Sequence, residues 1–358
     1  MRFLEVIGSW INRYFSNEEA IYLVVLLVIG FFVLFILGGV LAPVLTGLVL
    51  AFLLQGLVKK LVQWHVPEIG AVYLTFFLFI GGVIALMLFV VPLVWRQLQG
   101  LVDALPNIMV RLQEATQNLA TAFPEIVTDE QIGVWLDAAA SELGNLSGPV
   151  LEALVTNVPS LVAFLIYLVL VPILVFFFLK DRRQLLDWLV SVLPQRRPLL
   201  NSVGDEMNVQ LANYVRGKFI EIIIVGSTTF VVFSLLGLNF AALLGVLVGF
   251  SVLIPFIGAA VVTIPVLLVG IIQFGWSWDL TYVMAAYGII QALDGNVLVP
   301  LLFSEAVDLH PIAIIVAVLA FGGLWGVWGV FFAIPLATLV KAIYNAWPRD
   351  IPAEGEPG

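Results

Sequence analysis

Long apolar blocks separated by short polar stretches run through most of the chain. The first block, residues 21–58, is longer than the roughly 20 apolar residues that cross about 30 Å of hydrocarbon. Two glycines and Pro43 interrupt it near its centre, so we predict two helices there, over residues 21–38 and 41–58. The next block, residues 69–94, is followed by a tryptophan and an arginine, which are typical of a membrane interface, and it predicts a third span.

Residues 97–156 differ from the blocks around them because they contain eight acidic residues and one basic residue. Apolar residues recur there at alternating spacings of three and four, which predicts amphipathic helices. A fourth span, residues 159–179, is followed by the stretch 180–218, which has seven basic and four acidic residues. By the positive-inside rule we expect 180–218 and both chain termini to be cytoplasmic and 97–156 to be extracytoplasmic.

The C-terminal part of the chain, residues 219–340, contains no lysine or arginine. Prolines and glycines divide it into several apolar segments, some of them too short to cross a bilayer. Short segments of this kind favour re-entrant hairpins or broken helices, which a membrane tolerates where protein or a wet cavity surrounds them. The predicted segments are 219–237, 240–254, 259–274, 279–302, 309–322 and 324–346.

Together these patterns predict an all-α fold: a polytopic transmembrane helical bundle with roughly eight spans, including re-entrant or broken helices, and a small helical extracytoplasmic loop domain. The predicted organisation is three transmembrane helices in 1–96, an acidic amphipathic region in 97–156, the fourth transmembrane helix in 157–180, a cytoplasmic amphipathic linker in 181–217, a C-terminal transport core in 218–347 and a disordered tail in 348–358.

Composition agrees with a membrane protein, because 62% of the 358 residues are apolar, 11% are charged and the mean hydropathy is +1.12. The net charge of −9 argues against nucleic-acid binding, which needs clustered lysine and arginine. The chain has no cysteine and two histidines, so we expect no metal site and no cofactor. No P-loop, nucleophile-elbow, zinc-protease or dinucleotide-binding motif is present, so we expect no enzymatic activity.

The most informative residue inside an apolar segment is Asp294, because ionisable groups in a span are costly and mark functional sites by default. Gln291 shares its helix face, Gly295 weakens the helix, and Pro300 leaves the carbonyl of Asn296 without its helical donor. An unwound turn there would offer a carboxylate, an amide and a carbonyl to a cation or polar solute. The alternative is a carboxylate that serves packing alone.

Other candidates have stronger structural alternatives. Glu221 lies three residues after Lys218, so an interfacial ion pair competes with a role in ion coupling. His310 stands at a junction between apolar segments, where a structural role competes with a role in transport. The remaining candidates are hairpin or gating positions: Pro255, Gly258, Gly295 and Pro311.

Five segments carry a resemblance to a known family: Tyr214-Val215-Arg216-Gly217, Ile254-Pro255-Phe256-Ile257-Gly258, residues 291–300, Leu309-His310-Pro311 and residues 329–337. Together they resemble the autoinducer-2 exporter family of bacterial permeases, in particular its PerM-like branch. The resemblance implies an inner-membrane, multi-pass homo-oligomer, with a pentamer as one option, that exports autoinducer-2 or, in other branches, exchanges Na⁺ or Li⁺ for H⁺. Many members place asparagine directly after the aspartate, whereas Gly295 here separates Asp294 from Asn296.

The leading functional hypothesis is a secondary transporter that exports a small polar solute or signalling molecule and is coupled to a proton or sodium gradient. Asp294 would be the coupling carboxylate, with Gln291, Asn296 and the carbonyls freed by Pro300 as further ligands. A Na⁺(Li⁺)/H⁺ antiporter and a channel are the alternatives within transport. The alternative from another class is a membrane scaffold or assembly protein that binds partners through 97–156 and through the cytoplasmic amphipathic stretch around Leu185 to Val215.

Overall fold

The computed structural model describes residues 18–104, 158–194, 197–255, 257–303 and 309–347. Within these ranges the chain is helical and forms no strand, which confirms the all-α fold, and six helices are long and apolar enough to cross a membrane. Most of the predicted acidic region, 97–156, and the predicted tail, 348–358, lie outside the described residues. The helices are α1 (Glu18–Gln63), α2 (Glu68–Ala104), α3 (Val158–Lys180), α4 (Arg182–Ser191), α5 (Pro198–Leu235), α6 (Ala241–Ser251), α7 (Ile257–Phe274), α8 (Trp278–Phe303) and α9 (Pro311–Ala346).

The prediction of two helices in residues 21–58 is wrong, because α1 is one continuous helix of 46 residues. Pro43 lies inside it and the two central glycines do not end it. Proline removes a single helical hydrogen bond, whereas unwinding a turn in hydrocarbon leaves several backbone groups without partners. The hydrocarbon therefore favours a continuous helix where the same sequence in water would break.

The described helices divide between two units. The first unit comprises Met1–Tyr73, Ile173–Gly217 and Phe303–Gly358, and the second comprises Leu74–Pro172 and Lys218–Leu302. Helix α5 therefore gives its first half to the first unit and its second half to the second unit.

In the second unit the later half of α5 packs against α6, and α7 packs against α8. Gly226 of α5 faces Gly245 and Gly249 of α6 so closely that a Cβ on Gly245 would lie 2.9 Å from the Gly226 carbonyl oxygen. Small residues let two membrane helices approach in this way, as the glycine spacing indicates. Buried side chains of all four helices fill the space between them, among them Phe233, Leu244, Val266 and Val283.

A tight turn joins α6 to α7. Helix α6 has 11 residues, or roughly 16 Å, too short to cross the hydrocarbon alone, in agreement with the predicted re-entrant or broken helices. Gly258 is buried at the start of α7, and a Cβ at this position would overlap the carbonyl oxygen of Ser251. The turn therefore requires glycine.

The first unit contains a similar reversal within α9. Gly326 has φ +58° and ψ −135°, a conformation that is accessible to glycine and strained for other residues. Gly329 packs closely on the part of α9 that precedes Gly326, and a Cβ at position 329 would overlap the Phe321 carbonyl oxygen. The break near residue 323 that the sequence predicts is therefore present as a sharp bend in α9.

The two ends of the described chain meet in the first unit. Leu23 of α1 packs with Leu199 of α5, and Ile343 and Trp347 near the end of α9 pack against this pair. The Glu19 carboxylate also accepts a hydrogen bond of 2.9 Å from the Leu199 amide. The first and last described helices therefore begin and end at the same end of this unit, while the predicted cytoplasmic location of the termini stays a prediction.

Candidate functional site

A buried ion pair lies where α5 enters the second unit. The Nζ atom of Lys218 is 2.8 Å from Oε2 of Glu221, one helical turn further along α5. Lys218 is 5% exposed and Glu221 1% exposed, so neither group reaches solvent. Lys218 also donates a 2.7 Å hydrogen bond to the carbonyl oxygen of Val252, in the turn that joins α6 to α7. The lysine therefore connects a carboxylate on α5 to the turn of the hairpin.

Asp294 lies within electrostatic interaction range of both members of this pair. It begins a π-helical turn in α8, Asp294–Leu298, in which the Val299 amide bonds to the Asp294 carbonyl five residues back. Its Oδ1 atom is shielded from solvent and accepts no hydrogen bond from the described residues. π-Turns inside helices are frequent at functional sites. We call Lys218, Glu221 and Asp294 the charged cluster.

Two further polar residues, Tyr287 and Gln291, precede Asp294 by seven and three positions and lie on the same face of α8. Tyr287 is 4% exposed, and its hydroxyl donates a 2.9 Å hydrogen bond to the Ala259 carbonyl oxygen of α7. The Thr263 hydroxyl lies 2.7 Å from that carbonyl and 3.1 Å from the Tyr287 hydroxyl. The Gln291 amide nitrogen is shielded beside Tyr287 without a hydrogen bond of good geometry. We call Tyr287, Gln291 and Asp294 the polar stripe.

The charged cluster has a simple electrostatic property. Two carboxylates and one ammonium carry one net negative charge when all three are ionised. An uncompensated charge in a buried site is costly, so the net negative charge of the cluster requires an explanation. In the described ranges no three histidine, aspartate or glutamate side chains converge as ligands of a metal ion do.

The structure separates Asn296 and Pro300 from the polar stripe. Both residues are exposed at the surface of α8, as is Gly295. The Asn296 amide donates a 2.8 Å hydrogen bond to the Ala292 carbonyl of its own helix. The turn that we expected to be unwound is π-helical, because the helix absorbs Gly295 and Pro300 by widening one turn.

The other sequence candidates lie in turns and at a helix start. Pro255 lies in the turn between α6 and α7 that contacts Lys218 through Val252, and Gly258 follows as the second residue of α7. His310 is exposed and belongs to the first unit, where its Nδ1 accepts a 3.3 Å hydrogen bond from the Ile312 amide at the start of α9. Pro311 follows as the first residue of that helix, where its missing N–H is harmless. The geometry of both residues is that of a helix cap.

Sequence reasoning missed Tyr287, Thr263 and the contact of Lys218 with Val252. Tyr287 had a signal, since it precedes Gln291 by one helical turn and extends the same face. The contact between Lys218 and Val252 had none, because these residues are 34 positions apart and meet only through the packing of α6 on α5.

Two of the segments that carry the family resemblance meet in the first unit. The Tyr214 hydroxyl donates a 2.8 Å hydrogen bond to the Phe331 carbonyl of α9. Gly217 faces the ring of Phe303 so closely that a Cβ would lie 2.6 Å from a ring carbon. These residues therefore have packing roles that restrict their size and shape.

Comparison with known proteins gives the family. The family model for AI-2E family transporters matches residues 9–349. PerM of Escherichia coli (strain K12), named as a permease, is 45% identical over 345 residues, covering 96% of this chain and 98% of PerM. YueF of Bacillus subtilis (strain 168), named as a transport protein, is 25% identical over 84% of this chain and 82% of its own length. The AI-2 transport protein TqsA of E. coli (strain K12) is 24% identical over 88% of this chain and 90% of its own length. The chain is therefore a multi-pass membrane protein that belongs to the AI-2E family of transporters.

Proposed function

We propose that this transporter exports a small polar solute and couples the export to a proton or sodium gradient through the charged cluster. The observation that carries the proposal is the cluster itself: a buried lysine bound to Glu221 and to the hairpin turn, with the Asp294 carboxylate in electrostatic interaction range and its Oδ1 atom without a hydrogen bond from the described residues. Asp294 takes up the coupling ion. Intramembrane ionisable groups without a packing explanation are typical of ion pathways.

Coupling follows from competition for Lys218. A proton or cation bound to Asp294 neutralises its carboxylate, which then no longer attracts the Lys218 ammonium. Lys218 consequently interacts more strongly with Glu221 and with the Val252 carbonyl. Without that ion, Asp294 competes for the ammonium and weakens the contact that holds the turn between α6 and α7. Ion binding thereby shifts the free energy of the hairpin between two states, which is what an ion-coupled transporter needs.

The solute is proposed to be a small polar signalling molecule such as autoinducer-2. TqsA is named as an AI-2 transport protein, and the Gln291 amide nitrogen, which has no hydrogen-bond partner among the described residues, is a donor that a small polar signalling molecule would need. We further propose the bacterial inner membrane as the location, with both termini cytoplasmic, and a homo-oligomer, with a pentamer as one option.

The test is flux in liposomes that contain the purified protein, with autoinducer-2 as solute under an imposed pH or sodium gradient. Asp294→Asn is expected to abolish the dependence of flux on the gradient. The matched control is Asp279→Asn, the same charge change at an exposed position of the same helix, which is expected to leave flux unchanged. Gradient-dependent flux in Asp294→Asn equal to that of the wild type would remove Asp294 from the mechanism.

Antiport of Na⁺ or Li⁺ for H⁺ is the second candidate, and one observation favours it. Glu221 and Asp294 lie within electrostatic interaction range of each other, and carboxylates inside a membrane-spanning region are typical of ion pathways that need no organic solute. Sodium-driven proton movement in the same liposomes without autoinducer-2 would support antiport. Solute flux that follows its own gradient with no fixed ion stoichiometry would indicate a channel.

A further inference from the structure

A cavity of about 630 Å³ lies in the first unit, bounded by α1, α4 and α5 together with the chain between α4 and α5. Four basic side chains line it, with Asp205 as the acidic residue among the lining residues. These four basic residues are Lys59, Arg182, Arg197 and Arg216. We call this feature the basic cavity. The positive-inside rule accounts for basic residues near the end of a span, but it does not require them to converge on one cavity.

Arg216 is the most informative of the four. Its Nε atom is shielded from solvent and has no hydrogen-bond partner among the described residues. Gly56 of α1 allows the guanidinium to lie against that helix, since a Cβ there would be 3.4 Å from Nε. A shielded cationic donor without an acceptor is unfavourable unless an anion completes it.

The rest of the wall is apolar. Leu48 and Phe52 of α1 face the cavity, and so do Leu185 and Leu189 of α4. Helix α4 also exposes apolar side chains, among them Trp188 at 67%, although basic residues flank it. A short helix of this composition is typical of the plane of the membrane interface, where its apolar side chains enter the lipid.

We propose that the basic cavity binds the phosphate group of an anionic phospholipid, with the acyl chains along its apolar wall. Four cationic side chains against one carboxylate supply the charge, and arginine forks match phosphate oxygens in geometry. Basic pockets between membrane helices are a known form of lipid-headgroup site. The inference is independent of the proposed transport function, because every lining residue belongs to the first unit.

The test uses the full chain in nanodiscs of phosphatidylcholine alone or mixed with phosphatidylglycerol. Native mass spectrometry of the released protein measures retained phosphatidylglycerol, and thermal unfolding measures stabilisation. Arg216→Gln and Arg182→Gln are each expected to weaken phosphatidylglycerol binding about tenfold, the effect of one lost charge-assisted contact.

Arg183→Gln is the matched control. It removes the same charge next to Arg182, but Arg183 lies outside the cavity and pairs with Glu68 at 3.0 Å. Retention of phosphatidylglycerol by Arg183→Gln and its loss from Arg182→Gln would support the site. Equal losses from both variants would indicate general attraction to an anionic surface and overturn the proposal.

Two further arms complete the test. Inorganic phosphate in phosphatidylcholine nanodiscs is expected to give little stabilisation, whereas protection equal to that of phosphatidylglycerol would assign the cavity to a soluble phosphate compound and refute a lipid. If Arg216→Gln does not fold, Lys59→Gln combined with Arg182→Gln tests the same cavity from its rim. No difference between the two lipid compositions for the wild type would also overturn the proposal.

Discussion

Replacing Lys218 with methionine tests the charged cluster most directly. The substitution keeps an unbranched apolar chain of similar length but removes the ammonium from between Glu221 and the Val252 carbonyl. Glu221 is then left 1% exposed without its counterion, and the carbonyl loses its donor. Breaking one side of a buried ion pair typically destabilises a protein by about 3–5 kcal/mol. We therefore expect Lys218→Met to lower the free energy of unfolding by about that amount.

The double variant Lys218→Met, Glu221→Leu distinguishes the loss of the ion pair from the cost of leaving the Glu221 charge buried without a counterion. Replacing both partners with apolar residues of similar volume is often neutral, because no charge remains buried alone. The carbonyl of Val252 still lacks a donor, which costs about 1 kcal/mol. The double variant should therefore lie within roughly 1–2 kcal/mol of the wild type, well above the single variant.

The assay is equilibrium unfolding in detergent micelles, followed by the fluorescence of the ten tryptophans. Arg183→Met is the control, because its pair with Glu68 has side chains 83% and 57% exposed and should contribute less than about 1 kcal/mol. A double variant as unstable as Lys218→Met would refute the reasoning, since the loss could not then come from an uncompensated Glu221.

Two further substitutions test the packing around the site. Gly258→Ala should lower the free energy of unfolding by roughly 1–3 kcal/mol, because the added Cβ overlaps the Ser251 carbonyl oxygen. Gly288→Ala, at a position with open space around it, should leave the free energy of unfolding unchanged. Denaturant titration measures both. Tyr287→Phe should cost only about 1 kcal/mol, since Thr263 still bonds the Ala259 carbonyl, and Tyr282→Phe on the exposed side of α8 should cost less. If Tyr287→Phe is as stable as Tyr282→Phe, the hydrogen bond from the Tyr287 hydroxyl to the Ala259 carbonyl does not contribute to stability.

Apolar patterning predicted most of the helices, and the reason is physical. A bilayer leaves the backbone no partner except itself, so an apolar block of sufficient length has to be helical. The same rule explains the error in α1, because the helix-breaking effect of Pro43 and two glycines is weaker in hydrocarbon than in water. By contrast, Gly258 and Gly326 do reverse the chain, because the structure there needs a close approach or a positive φ that only glycine supplies.

The candidate site was predictable only as far as single residues. Asp294 is visible in the sequence because a carboxylate inside an apolar segment is costly wherever the helix packs. Its partners depend on tertiary contacts: the spacing of Lys218 and Glu221 predicts a pair but not its burial, and nothing local predicts the Val252 carbonyl. Asn296 shows the converse, since proximity in sequence to Asp294 suggested a shared site and the π-turn leaves it exposed.

One turn of α5 supplies a cation to each of two sites. Arg216 lines the basic cavity of the first unit, and Lys218 belongs to the charged cluster of the second. Residues two positions apart lie on opposite sides of a helix, so Arg216 and Lys218 cannot belong to the same site. The two roles are therefore separable: Arg216→Gln should reduce phosphatidylglycerol retention without removing ion coupling, and Lys218→Met should do the reverse. Loss of both properties in either variant would show that this turn acts as one structural element.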